Sequence, residues 1–256
     1  MKTHTNIYIG TVCLEPTRWG KRQPSFAVSD WLPRFAKDGY DGIELWSYHY
    51  TRADRTEQQR LIDEASPIAV YNTYAKFSND AREQRDWEAD IITKLQALAV
   101  KFNVGNDSSE LMDYKHNLLE WAENLPDSCM LLCECHPGTM LETPDAAYAF
   151  HADLDPARFG IIVHVGNTSS EELNRWLDTF GSRVQHIHVQ FRGPETDPDN
   201  PENRPVLDRH FELVRKHGFQ GSVTTEFTRG IGKNEDIETI YSNACRDMAY
   251  IRSQLS

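Results

Sequence analysis

Apolar residues fall along this chain in short runs, separated by polar stretches whose hydrophobic positions recur at helical spacing. The runs start near Asn6, Asp41, Ile68, Ala99, Met130, Phe159, Val184 and Gly221, in steps of 25 to 37 residues. A step of that size accommodates one strand and one helix, and eight such units predict a closed parallel (β/α)8 barrel. The whole chain, residues 1–256, is read as this one domain, an α/β TIM barrel. A doubly wound open sheet is the alternative, although it usually carries fewer strands at this length.

The stretches between the runs support the reading. Trp87, Ile91, Leu95 and Leu98 share one helical stripe, and Leu173, Trp176, Leu177 and Phe180 share another. The last helix shows Ile237, Ile240, Ala244, Met248, Ile251 and Leu255. All three stripes are expected to face the core. Asp107-Ser-Ser-Glu110 resembles a capping box, and Thr143-Pro144 places proline at a first helical position. Lys37-Asp-Gly-Tyr-Asp-Gly42 and Lys216-His-Gly-Phe-Gln-Gly221 echo one another as helix end, glycine cap, aromatic plug and strand start. Two long connections, from Thr11 to Ser25 and from Gly193 to Pro205, follow strands and so belong to the face where barrel active sites form; each reads as a lid or as a solvated flap.

Alternation along the strands brings out the chemistry. The fifth strand puts Leu132, Glu134 and His136 on one side, the sixth Ile162, His164 and Gly166, the seventh His186, His188 and Gln190, the eighth Thr224, Glu226 and Thr228. The opposite sides are mostly apolar and suit the helix-facing surface, so the polar sets are expected to point into the barrel. Buried carboxylates without partners cost several kcal/mol or more. Glu134, His164, His188 and Glu226, one from each of four successive strands, are therefore read as ligands of one divalent metal ion. Their oxygen and imidazole donors suit Mn²⁺ first, with Co²⁺, Fe²⁺ or Zn²⁺ as alternatives. A metal-free network of Glu, His and water is the competing reading, and His186 is read as structural.

Composition narrows the class. A net charge of −12 disfavours non-specific contact with nucleic acid or anionic membrane. The first ten residues lack the apolar run of a signal peptide, and no stretch is long and apolar enough to span a bilayer, so a cytoplasmic location is expected. The five cysteines include no CxxC pair and read as free thiols, with Cys133 and Cys135 pointing away from Glu134.

These motifs resemble the sugar isomerase/epimerase superfamily with the xylose-isomerase-like barrel, over nearly the whole chain. Glu134-Cys-His-Pro-Gly-Thr139 matches the family's strand-5 motif, His188 the strand-7 metal histidine, and Glu226 the strand-8 glutamate after a Gly-aromatic-X-Gly turn; Gly42-Ile-Glu-Leu45 is similar to its second strand. The family usually has Asp and, three residues later, His on strand 6, where this chain has His164 and Asn167. It often has Lys-Asp after the strand-7 histidine, where this chain has Gln190-Phe191, and the missing Asp argues against a second metal.

The resemblance implies a metal-dependent isomerase or epimerase of a small-molecule sugar or sugar derivative, with Glu134 and Glu226 transferring protons through a metal-stabilised enediolate. The alternatives are a lyase or dehydratase acting on a keto-sugar or keto-inositol, and a non-catalytic sugar-binding barrel. A DNA-repair endonuclease, also found in this superfamily, is disfavoured by the acidic charge and the single expected metal. His136, Asn167 and Gln190 are candidate hydroxyl contacts; Glu44 and Trp46 share the inward side of strand 2, Trp46 as a cover for a sugar face or as packing. Arg192 and Arg229 are candidates for binding a carboxylate or phosphate, or for surface salt bridges, and Arg18, Lys21 and Arg22 add positive charge to the first loop. Homo-oligomers through outer helices or loops are compatible with all of these readings.

Overall fold

A computed structural model describes residues 4–15, 21–230, 233 and 235–255; Arg18 lies outside them. Eight parallel strands close into a barrel in chain order. They are β1 (Ile7–Gly10), β2 (Gly42–Trp46), β3 (Val70–Asn72), β4 (Ala99–Phe102), β5 (Met130–Glu134), β6 (Phe159–Val165), β7 (Val184–Gln190) and β8 (Ser222–Phe227). Their first residues lie within two of the positions expected from the runs.

Most of the core is the annulus between strands and helices, built from outward strand residues such as Ile9, Leu45, Tyr71, Val100, Leu131, Val163, Ile187 and Val223. The helices cover it as patterned. Leu173, Trp176, Leu177 and Phe180 are all buried along Ser170–Phe180, and Ile240, Ala244, Met248 and Ile251 along Ile237–Leu255. Thr143 caps Pro144–His151 through the Ala146 amide. The Trp87 stripe is only half right. Ile91 and Leu95 are buried, but Trp87 and Leu98 are about half exposed (50% and 51%). The helix Arg82–Lys94 instead turns Arg85, Glu88, Ala89, Ile91 and Ile92 inward. Leu98 lies past its end, in the turn before β4, where its amide bonds the Ile68 carbonyl. Asp107 caps the Ser109 amide ahead of a 3₁₀ turn, and the longer helix starts after it, at Leu111.

Inside the barrel the floor is an apolar plug of Tyr8, Ala69, Val70, Ala99, Leu132 and Ile162. Polar residues stack above it, as layered barrel interiors allow. One irregularity matters for the site. The β7–β8 register shifts between Val189 and Gln190, so that Val189 faces Thr225 but Gln190 faces Phe227. Glu226 is the extra residue of this bulge, a device that re-aims side chains at barrel rims. Both Glu226 and Phe227 then face the barrel mouth, and Thr228 is turned outward. Simple alternation expects Thr228 inside; its hydroxyl instead bonds Asp247 of the last helix.

Asp247 is buried, and burial pushes its carboxyl up to about 8, against the opposing pull of the Thr228 hydrogen bond. A carboxyl held above its unfolded value of 3.8 contributes stability that is complete below that pH and is lost as pH rises through about 8. Asp247→Asn is therefore expected to raise Tm at pH 8 while changing it little near pH 4. The size should be about 2–4 °C per kcal/mol recovered. Melting curves across this range that run parallel for the two proteins would contradict the assignment.

The connection from Gly193 to Pro205 is tied down. Asp197 pairs with Arg229, and Asp199 with Arg246 of the last helix at 2.9 Å. The described cysteines are all free, as expected, and the Sγ atoms of Cys133 and Cys135 lie 3.8 Å apart on the helix side of β5.

Candidate metal centre and surrounding cavity

The four expected ligands converge. Glu134, His164, His188 and Glu226 each offer a donor atom, and these atoms lie within 4.8 Å of one another. They meet because four neighbouring strands each end with an inward residue at the same height. His164 pairs directly with His188 in the β6–β7 register, and the β8 bulge supplies Glu226.

His188 is the hub. It is completely buried. Its Nε2 lies 3.0 Å from Glu44 Oε2, which fixes the ring and leaves Nδ1 facing the other carboxylates. Nδ1 lies 3.4 Å from Glu226 Oε2 and 3.7 Å from Glu134 Oε1, yet has no hydrogen-bond partner among the described residues. A buried imidazole nitrogen aimed at two carboxylate oxygens without a bond is the geometry of a ligand whose other nitrogen is held by an outer carboxylate. The donor set therefore fits a divalent ion. Without one, His188 must carry the compensating charge itself: burial lowers its pKa, but Glu44, Glu226 and Glu134 together raise it well above the usual imidazole value.

The two glutamates sit in different surroundings. Glu134 Oε1 lies 3.1 Å from His164 Nε2, while Oε2 takes the ammonium of Lys101 at 2.7 Å and the Asn103 amide at 3.1 Å. Burial would raise its pKa, but Lys101, His164 and His188 hold it well below the usual carboxylate range. Glu226 Oε2 accepts from the neutral amide of Gln190 at 2.6 Å. Its pKa is lowered too: burial raises it, and the His188 charge outweighs that.

Glu44 does not reach the cavity. It lies one layer deeper, accepting from Asn72 at 2.8 Å and held near His186 at 3.3 Å as well as His188. The same contacts place His186 in a structural network, with Nδ1 2.8 Å from Ser222 Oγ and Nε2 2.9 Å from Thr224 Oγ1. Trp46 is also withdrawn. It is 2% exposed, packed with Val12 and Phe227, and its indole N–H donates to the Tyr74 hydroxyl at 3.0 Å. This is the packed arrangement, one of the two readings offered for it, and the Tyr74 ring lines the cavity. Arg229 is spent on Asp197 and stands away from the cavity.

Above the quartet lies a cavity of 230 Å³ whose wall includes Tyr74, Lys101, Glu134, Gln190, Arg192 and Glu226. It shares His136, Gln190 and Arg192 with a second cavity of 300 Å³ that His164 and Asn167 also line. Gln190 joins the two sides: its carbonyl oxygen accepts from Asn167 at 2.5 Å and Arg192 at 2.8 Å. The Arg192 guanidinium stacks over the Phe227 ring at 3.9 Å. His136 is exposed beyond the end of β5. Four of the seven expected substrate contacts, His136, Asn167, Gln190 and Arg192, thus border the space over the ligands.

Lys101, Asn72, Asn103 and Tyr74 were not expected. A signal exists for Lys101: in Ala99-Val-Lys-Phe102 a lysine sits between apolar residues on the side that alternation assigns to the interior.

No family model matches the chain, and no curated protein matches it in sequence. Its fold is widely shared. A protein described as the probable 3-DHS dehydratase AsbF, involved in petrobactin synthesis in Bacillus anthracis, superposes with a TM-score of 0.67 at 14% identity, over 97% of this chain and 98% of its own. The 3-keto-D-glucoside 4-epimerase YcjR from E. coli gives 0.65 at 13%, over 98% and 100%. A xylose isomerase-like TIM barrel protein from Mycobacterium smegmatis, in complex with magnesium, gives 0.64 at 15%, over all of both chains. The barrel also superposes on endonuclease IV from Thermus thermophilus, with a TM-score of 0.59 at 10% identity. At such identities the likeness is one of architecture: this chain has the fold of the xylose isomerase-like TIM barrels.

Proposed function

We propose that the protein is a metal-dependent isomerase or epimerase acting on a small sugar or sugar derivative. The observation that carries this reading is the convergence of Glu134, His164, His188 and Glu226 beneath a cavity large enough for one sugar ring, with the buried His188 Nδ1 lacking a hydrogen-bond partner among the described residues. These four residues would hold the ion, with Mn²⁺ as the first candidate on donor chemistry. A bound divalent ion would supply Lewis acidity toward a carbonyl and its neighbouring hydroxyl.

The chain's own residues would do the rest. Glu226 and Glu134 flank His188 and form the acid/base pair: one takes the proton from the carbon beside the carbonyl and the other returns one. Gln190 orients Glu226 through the 2.6 Å bond. Asn167, His136 and Arg192 border the space where substrate hydroxyls or an anionic substituent would lie. Removal of the same proton with departure of a β-hydroxyl would make the enzyme a lyase or dehydratase, and the resemblance in fold to the 3-DHS dehydratase keeps that as the second reading.

One experiment tests both. Purified protein is assayed for metal content, then offered ketoses, aldoses and keto-glycosides with mass and NMR readout. About one divalent ion per chain and a product of unchanged mass are expected on the four-ligand argument. Loss of water would establish the lyase reading. A site still empty after growth in Mn²⁺, Co²⁺ and Zn²⁺, with no activation by added metal, would refute the metal-dependent mechanism. Cleavage of abasic DNA would redirect the reading toward the endonucleases of this fold.

A further inference from the structure

Lys101 is a full positive charge built into the wall of a site that would itself bind a cation. Its side chain is 4% exposed. β4 places it there because Ala99 and Lys101 take the inner side of the strand, while Val100 and Phe102 join the outer core. The ammonium makes two contacts at 2.7 Å, to Glu134 Oε2 and to Asn103 Oδ1. Asn103 is itself anchored, its amide donating to the Glu134 carbonyl at 2.8 Å and to Oε2 at 3.1 Å. Oε2 therefore already receives two donors from β4 and the residue just after it. Oε1 alone faces His164 Nε2 and His188 Nδ1.

The charges explain why this matters. The quartet contains only two carboxylates, since strand 6 contributes the imidazole of His164 where a carboxylate could stand, and Lys101 neutralises one of them. The third carboxylate nearby, Glu44, is turned to His186, His188 and Asn72. We propose that Lys101 is a positioning residue: it confines Glu134 to one ligating oxygen and, as a resident counter-charge, holds down the affinity of the quartet for a divalent cation. This rests on the metal reading above. Two effects act in the same direction. The ammonium repels an arriving cation across a single carboxylate group, and it stabilises the metal-free site by neutralising a buried carboxylate that would otherwise need the ion.

The test is Mn²⁺ binding by the chelator-stripped full chain near neutral pH, followed by the EPR signal of free Mn²⁺, with circular dichroism as a check of folding. Lys101→Met removes the charge; Lys101→Gln removes it but keeps an amide donor for Oε2; Lys101→Arg keeps it. The first two should bind Mn²⁺ at least tenfold more tightly than the parent, about 1.4 kcal/mol. The arginine variant should stay within about threefold of the parent on the same scale. Equal or weaker binding by Lys101→Met and Lys101→Gln, with the parent binding normally, overturns this inference and leaves the metal reading standing. So does failure of both to fold while Lys101→Arg folds, because the lysine would then be a structural partner only. Absence of Mn²⁺ binding from the parent and every variant overturns the metal reading and this inference with it.

Discussion

Glu226→Gln is expected to lower kcat on the accepted substrate by about 10³-fold, within the range for loss of a positioned general base. The substitution keeps the volume and the contact with Gln190, whose amide lies 2.6 Å from Oε2, so the loss would report the proton-accepting oxygen and the ligand charge, not packing. Glu134→Gln should be similarly slow but also less stable. It leaves Lys101, 2.7 Å from Oε2, as a buried ammonium without its carboxylate. The two variants are separated by solvent-deuterium exchange at the carbon beside the carbonyl together with thermal melting. Exchange at the parent rate in Glu226→Gln would remove Glu226 as the base. A Glu134→Gln protein as stable as the parent would mean that Lys101 is satisfied elsewhere.

His188→Ala should cost both the metal and the fold. The imidazole is completely buried between Glu44 Oε2 at 3.0 Å and Glu226 Oε2 at 3.4 Å. Removing it strips Glu44 of its closest charge partner and leaves three carboxylates around one hole. Breaking a buried pair in this way typically destabilises by about 3–5 kcal/mol. Denaturant unfolding should show that loss, and elemental analysis should find little bound metal. A variant of parental stability would mean that Glu44 is held well enough by Asn72 and His186, and that His188 is not the hub of the network.

Much of this was legible in the chain. The eight strands, the buried stripes of the helix Ser170–Phe180 and of the last helix, and the convergence of Glu134, His164, His188 and Glu226 all follow from periodicity. Side-chain direction along a strand is a local property, and polar residues on an otherwise buried face advertise themselves. Lys101 obeyed the same rule in Ala99-Val-Lys-Phe102, so its place inside was readable as well. Its partner was not, because nothing local says that β4 would bring its ammonium to one oxygen of the β5 glutamate.

Where an inward or nearby candidate stands off the cavity, or turns outward, there is one cause in each case. Glu44 does point inward, but its height in the barrel depends on the stagger of β2 against β1 and β3, which sets it a layer below the cavity. Trp46 is inward too, and the packing of Val12 and Phe227 closes over it. Arg229 is taken by Asp197 from a loop 32 residues earlier in the chain. Thr228 is turned out by a bulge that exists only because β7 and β8 pair with a shifted register.

The sequence by itself therefore determined the barrel and the identity of the four converging residues, since alternation and burial are written in neighbouring positions. Only the tertiary structure decided which nitrogen of His188 faces the site, which oxygen of Glu134 faces the two histidines, and which inward residues border the cavity. Those depend on strand stagger and on partners distant in the chain, and a one-residue change of register would exchange them all.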